Sequence, residues 1–474
     1  MSGLGVIVLA AGMGTRMKSR LHKVLHPICG VPMGQHVIDA ARGLDPARLV
    51  VVVGHQAEAV REAFAASGVS FVLQSELNGT GDAVLRCREA LAGCDEVMVL
   101  NGDCPLVTTE LLAGLRDARL IRPLSFVTCF VEDPGRLGRV LRDDDGDPVS
   151  IVEAADYDGP EGPAEINAGQ YAFDAAWLWQ HLPNVPVSSK GEYYLTHLVA
   201  AAADAGTPGA AFIAEPAEIL GVDDRLKLAE AEAIMRRRVL ERHMLNGVTI
   251  QDPATTYIDA SVSIEADVTI LPNCHLTGLS AVAAGAVIGP GTTLKNATIG
   301  DDTRVQASVI EDSRIGARCR VGPYSHVRGG ADISDDCELG NYAEVKNSNI
   351  GPGVKMHHFS YLGDADVGAR ANIAAGTITC NYDGVNKHRT TIGEDAFIGC
   401  DTMLIAPVTI GAGAFTATGA VVTQGRWPRR DRGGRTREAV QTLAGTGLSR
   451  GTEHHRRHRH HRPRVRRARR RRRR

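Results

Sequence analysis

The chain has 474 residues, too many for one compact core, and a formal net charge of −2. Aromatics make up only 4% of it against 52 glycines, which excludes a core packed on Trp and Tyr and fits a fold of many small turns. Ten cysteines without a CxxC pair, no apolar window of about 18 residues and no basic leader argue against a disulfide framework, a zinc site, a membrane span and a signal peptide, and for reduced thiols in a cytoplasm.

Val6-Ile7-Val8-Leu9 reads as a buried parallel strand. It runs into Leu9-Ala10-Ala11-Gly12-Met13-Gly14-Thr15-Arg16-Met17, with Lys23 six residues on. A turn of small residues lets the backbone approach a ligand, its N–H groups suit phosphate oxygens, and Arg16 and Lys23 add full positive charge. The glycine spacing is neither G-x-G-x-x-G nor G-x-x-x-x-G-K-[ST], so neither a dinucleotide fingerprint nor an ATPase P-loop is supported. The string L-A-A-G-M-G-T-R-M followed by K-V-L-H resembles the signature of the sugar-1-phosphate nucleotidyltransferases, whose loop wraps a nucleoside triphosphate.

Further strands are read at Val50–Val53, Val97–Leu100 and Phe126–Phe130, with helical stretches at 56–66 and 108–118. This alternation predicts a Rossmann-like α/β domain with a mostly parallel sheet over 1–224. Ligands of such sheets sit at the strands' carboxyl ends, where both Leu9–Gly14 and Asn101-Gly102-Asp103 fall. A carboxylate at Asp103 repels a triphosphate unless Mg²⁺ lies between them. Gln74, Gly79 and Thr80 offer amide and backbone groups to a base edge. Gly138, Glu153, Asn167 and Gly191-Glu192-Tyr193-Tyr194 suit sugar hydroxyls.

Residues 225–246 lack Pro and Gly and are rich in helix formers, predicting a helical arm on the order of 33 Å long. From 247 to 424 aliphatic residues recur about every six, often before Gly, as in Ile288-Gly289, Ile315-Gly316, Leu339-Gly340, Ile373, Ile378 and Ile398-Gly399. That period predicts a left-handed parallel β-helix of hexapeptide repeats, each aliphatic pointing inward. The segment Ala374–Gly384 interrupts the repeat and is expected to protrude as a loop. The repeat stops at Val421-Val422-Thr423. Residues 425–474 hold 20 Arg against Asp431, Glu438 and Glu453, a net +17 that leaves −19 on the rest of the chain. This Arg-rich tail is expected to be disordered and to be the product of a shifted reading frame; a nucleic-acid partner is expected only if the tail is a true binding arm.

The whole order of segments over residues 4–424 resembles the bifunctional bacterial N-acetylglucosamine-1-phosphate uridylyltransferases/glucosamine-1-phosphate acetyltransferases. The resemblance implies a homotrimeric, cytoplasmic, Mg²⁺-dependent enzyme whose UDP-N-acetylglucosamine feeds peptidoglycan. Its substrates are UTP, N-acetylglucosamine-1-phosphate, glucosamine-1-phosphate and acetyl-CoA. It implies that Leu9, Ala10, Ala11, Gly12, Arg16, Lys23, Gln74, Gly79, Thr80, Asn101 and Gly102 serve the uridine nucleotide. Gly138, Glu153 and Asn167 serve the sugar, and Asp103 and Asp223 hold the metal. An asparagine is usual at the position of Asp223. In the β-helix it makes His358 the general base. Arg328, Lys346, Tyr361, Asn372, Asn381 and Tyr382 become substrate groups, and Ala375, Cys400 and Thr418 acetyl-CoA contacts. A histidine has the basicity to take a proton from an attacking amine near neutral pH. Cys400 stands where a serine is usual, and the family's segment beyond Thr423, with an acetyl-CoA-contacting arginine, is replaced by the tail. The expectation is therefore that uridylyl transfer survives while acetyl transfer is weakened or lost. The alternative is a uridylyltransferase whose β-helix serves only as a trimerisation scaffold.

Overall fold

The computed structural model describes residues 3–423 apart from 155, 189 and 190. The Arg-rich tail expected at 425–474 lies outside the described residues.

The first half is built on one nine-stranded sheet. Its spine runs Ala210–Ile213, Leu124–Val131, Ala164–Asp174, Glu96–Asn101, Leu4–Ala10, Arg48–Val53 and Ser70–Leu73, in that spatial order. The mostly parallel sheet expected from the sequence is present, with Ala164–Asp174 inserted antiparallel to both its neighbours. Val6, Val8, Val51 and Val53 face one apolar layer, and Ile7, Val50, Val52 and Val99 face the other. Both faces of the central strands are thus covered, which is why they read as continuous apolar runs. The strands Leu4–Ala10 and Glu96–Asn101 end side by side, with Leu9 in register with Asn101. That pairing places the glycine loop beside Asp103.

The helix Arg225–Leu245 is capped by Asp224, whose side chain accepts the Leu226 and Lys227 N–H groups at 2.9 Å. It is not a free rod. Ala231 packs into the α/β core, and Val239 and Leu240 into the β-helix core. A hairpin at Pro27–Pro32 docks on the same junction: Cys29 N–H donates to Glu232 at 2.7 Å, and its carbonyl accepts Ala260 N–H at 2.9 Å.

From Thr249–Ile250 onward, short strands stack into three parallel sheets of nine, ten and nine strands. In-register ladders such as Ile270, Ile288 and Val305 fill the interior. Each turn of the chain adds one strand to each sheet, the triangular coil of the hexapeptide β-helix. One expected inward position is corrected. Ile378 is 37% exposed, and Thr379 takes the interior place at 1%. The Thr379 hydroxyl accepts Gly363 N–H at 2.7 Å and donates to the Gly363 carbonyl at 3.0 Å, satisfying backbone groups that an aliphatic side chain leaves unpaired. The protruding loop also starts later than expected: Ile378–Cys380 remains a strand, and the excursion spans 381–389 before the strand Thr390–Ile392.

Candidate active sites

In the α/β half the chain leaves the first strand through Ala11–Gly14. Gly14 has φ 56° and a Cβ there falls 2.7 Å from Lys23 Cβ, so glycine is needed both for the turn and for the close approach of Lys23. Gly102 N–H donates to the Leu9 carbonyl at 3.0 Å, fastening the two strand ends. A side chain at Gly102 meets that carbonyl at 2.7 Å.

The charged centre forms where these ends meet the residues before the arm helix. The Lys23 ammonium donates to Asp103 and, at 2.6 Å, to Asp223; Arg16 pairs with Asp223 at 2.8 Å. Val222 N–H on the Asp103 carbonyl at 2.9 Å holds the two acidic segments together. Burial pulls the Lys23 ammonium down, but Asp103 and Asp223 outweigh it and the net shift is upward, keeping it charged. The preceding His22 is pushed down to about 4, by burial first and then by the neighbouring His55.

Beside this centre lies a cavity of about 700 Å³. It gathers Leu9, Thr80, Asn101, Glu153 and Asn167, all anticipated from the sequence. Its wall is zippered to the 79–81 turn: Gly81 N–H donates to the Tyr193 carbonyl and Tyr193 N–H to the Asn78 carbonyl, both at 2.8 Å. Gly79 at φ 100° has no room for a Cβ against Tyr193. Gln74 is buried, and its Nε2 donates to the Gly79 carbonyl at 3.0 Å and Asp82 at 2.9 Å, so its donors fix the turn and its Oε1 remains as an acceptor. Gly138 contributes its carbonyl to Asn167 N–H at 2.9 Å. Ala10, Ala11 and Gly12 continue the strand into the loop, with open space at the Gly12 Cβ position. Tyr194 was among the groups anticipated for sugar hydroxyls; Arg136 and Thr196 were not. Thr196 donates to Glu153 at 3.2 Å, Tyr194 lines the wall, and Arg136 reaches the cavity from a loop braced by Arg139 on the Gly135 and Leu137 carbonyls. Nothing in the spacing marks Arg136 or Thr196.

On the β-helix, Arg328 and Lys346 are in-register neighbours on adjacent coils, and Lys346 is in register with Gly363. Lys387 and then Arg328 crowd Lys346 and push its ammonium below the usual lysine range. Lys387, which the sequence argument left unassigned, thus joins this cationic group from the 381–389 loop. Asp364 accepts from Asn347 and Asn381, both at 2.5 Å, and anchors that loop. Tyr382 is exposed and its hydroxyl donates to the Gly384 carbonyl at 2.6 Å.

Two histidines stand at the turn before Ser360–Gly363. His357 is tied to Glu338 at 2.9 Å, whereas His358 projects from the exposed turn. Gly376 N–H on Phe359, Asp401 N–H on Ala375 and Gly419 N–H on Cys400, each carbonyl reached at 2.8 Å, carry one corner through four coils. His358, Ala375, Cys400 and Thr418 therefore mark the same corner. Tyr361 leads one sheet away from it, and Asn372 lies on the other, between Lys355 and Phe397.

A phosphate-type loop on an α/β sheet, followed by a hexapeptide β-helix, defines a two-domain transferase. Residues 6–165 match the MobA-like NTP transferase domain, and residues 389–424 match the bacterial transferase hexapeptide (six repeats). The chain is 45% identical over 434 residues to bifunctional protein GlmU of Pelobacter propionicus, covering 90% of this chain and 94% of that protein. It is 43% identical over 430 residues to its counterpart in Brevibacillus brevis, covering 90% and 93%. HddC from Yersinia pseudotuberculosis, a solved structure, is similar to 49% of this chain and 99% of that chain at 20% identity, with a TM-score of 0.38. The chain belongs to the GlmU family of bifunctional proteins. Among the described residues no helix is long and apolar enough to cross a membrane.

Proposed function

We propose that the chain makes UDP-N-acetylglucosamine in two steps: acetyl transfer to glucosamine-1-phosphate on the β-helix, then uridylyl transfer to the product on the α/β domain. The observation that carries the reading is the meeting of Lys23, Arg16, Asp103 and Asp223 at the strand ends, beside a cavity lined by Glu153 and Asn167. Relatives matched along 90% of the chain are bifunctional, which favours two activities over a β-helix acting only as a scaffold and over the loss of acetyl transfer expected from the sequence.

In the second step a phosphate oxygen of the sugar phosphate attacks the α-phosphorus of UTP and pyrophosphate leaves. The nucleophile is already an anion, so no general base is required. Catalysis rests on positioning and on charge neutralisation by Lys23 and Arg16. The Gln74 acceptor and the turn at Gly79–Thr80 would orient the base; Glu153, Asn167 and Gly138 would orient the sugar. One ammonium already bridges Asp103 and Asp223, so these oxygens converge on a single cation. Two carboxylate donors, with the remaining positions left to phosphate and water, suit Mg²⁺. Asp103 and Asp223 would hold it, and when bound it supplies Lewis-acid neutralisation of the phosphates.

In the first step His358 would take the proton of the attacking amine. The amine attacks the thioester carbonyl and coenzyme A leaves as thiolate. Arg328, Lys346 and Lys387 would hold the sugar phosphate. Tyr361, Asn372, Asn381 and Tyr382 would complete the sugar and acetyl pocket, and the corner through Ala375, Cys400 and Thr418 would seat acetyl-CoA. An exposed aromatic stack, Tyr324 on Tyr342 with ring centroids 5.3 Å apart and Phe359 also exposed, supports self-association of the β-helix, which we take to be trimeric. A cytoplasmic setting fits these substrates. The reading is tested by assaying UDP-N-acetylglucosamine from each sugar phosphate in turn. Product from both is expected; product from neither overturns it.

A further inference from the structure

The cations of the phosphate loop are already occupied. Arg16 Nη2 and Lys23 Nζ donate to the same oxygen, Asp223 Oδ1, at 2.8 and 2.6 Å, and Lys23 also donates to Asp103. Two cations and two carboxylates sum to zero, whereas an asparagine at 223 leaves a charge of +1. The adjacent Asp224 and Arg225 carry opposite charges that cancel. Asp224 spends its carboxylate on the N–H groups of Leu226 and Lys227. Arg225 is held by the Met17 carbonyl and by His26, each at 3.2 Å. A triphosphate arriving alone must draw Arg16 and Lys23 away from their partners and leave two bare carboxylates beside a polyanion. A divalent cation arriving alone must evict the same two side chains with nothing to receive them. Arriving together, the two ligands exchange partners: the divalent cation takes the two carboxylates, and Arg16 and Lys23 are freed to the phosphates.

From this geometry we propose that Asp223 makes divalent-cation and nucleotide binding mutually dependent in this chain, so that the loop accepts the metal–nucleotide complex and discriminates against the free nucleotide. The inference rests on the uridylyl-transfer reading of the same site. By linkage the coupling is reciprocal: whatever factor the metal adds to nucleotide affinity, the nucleotide adds to metal affinity. An uncharged residue at 223 releases Arg16 to phosphate and removes part of that factor.

The test is calorimetric titration of the full-length chain with UTP, first in EDTA and then in Mg²⁺. In the unmodified chain Mg²⁺ is expected to tighten UTP by on the order of 100-fold. In Asp223→Asn, UTP without metal is expected to bind about 10-fold more tightly, and the gain from Mg²⁺ to shrink to about 10-fold. Adding Arg16→Gln to that variant is expected to abolish the metal-free gain, because the released guanidinium is what takes the phosphate. Circular dichroism and the thermal unfolding of the same preparations report folding of the α/β domain; if it is lost, Asp223→Ser replaces Asp223→Asn in every arm. The same gain from Mg²⁺ in the unmodified and uncharged chains overturns the proposal while leaving the uridylyl site in place. No UTP binding in any chain, with or without Mg²⁺, overturns that site and the proposal with it.

Discussion

Lys23 meets Asp103 across 80 positions of the chain and Asp223 across 200. Arg328, Lys346 and Gly363, by contrast, lie on successive coils of one sheet, each in register with the next. The first site depends on the order of strands in a sheet, the second on the counting of a repeat. Sheet order brings opposite charges together and lets them neutralise one another. The repeat also pairs opposite charges on adjacent coils, Arg328 with Glu344 at 2.5 Å and Arg314 with Asp332 at 2.8 Å, but the 381–389 loop sets Lys387 against Lys346, with Asp364 beneath that loop. A polyanion is received in the first case by exchanging partners and in the second by two lysines, Lys346 and Lys387, already crowded cation against cation.

The comparison breaks most sharply at single residues. Asp103→Ala is expected to reduce uridylyl transfer by about 10³-fold or more, with acetyl transfer unchanged, in separate steady-state assays. Near-normal uridylyl transfer removes Asp103 from the metal site. His358→Ala is expected to reduce acetyl transfer by roughly 10²–10⁴-fold and to leave uridylyl transfer intact. His357→Ala is the control, since His357 is already paired with Glu338 at 2.9 Å, and a comparable loss there reassigns the base.

Gly340→Ala probes the repeat itself. Its Cβ falls 2.0 Å from the His357 carbonyl oxygen on the next coil, so the turn carrying His358 has to shift. A cost of about 1–3 kcal/mol in β-helix stability is expected, with acetyl transfer falling more than uridylyl transfer. Calorimetric unfolding and the two assays check it; unchanged values in all three contradict the packing described.

The smallest effect is that of His22. Its folded value of about 4 lies below the ordinary 6.5, so the unfolded chain binds the proton more readily. The stability it contributes is complete above about 6.5 and declines as pH falls toward 4. His22→Gln is expected to flatten that part of the stability–pH curve of the α/β domain, as read by denaturant midpoints at pH 7, 5.5 and 4.5.

Legibility in the sequence follows the same division. The glycine loop, the strand ends, the arm helix and the six-residue period were all readable, because each is a local pattern. Thr379 in the β-helix interior was not, since its place is set by Gly363, one coil away, and not by the period. Nor was the partial burial of the arm helix, which depends on the Pro27–Pro32 hairpin reaching Glu232 and Ala260. Asp103 and Asp223 were legible as acidic residues in suitable segments. That Lys23 and Arg16 are spent on them was not, because it requires the closed sheet. Arg136 and Thr196 were hidden for the same reason: each reaches the cavity from a loop whose position only the fold determines.

The central claim is that one chain carries two separate sites in series. Its most direct test supplies glucosamine-1-phosphate, acetyl-CoA, UTP and Mg²⁺ to Asp103→Ala, to His358→Ala and to their mixture. The first is expected to accumulate N-acetylglucosamine-1-phosphate, the second to leave glucosamine-1-phosphate unconsumed, and the mixture to yield UDP-N-acetylglucosamine. A mixture that yields none, with each variant retaining its own half-reaction, contradicts the two-site account.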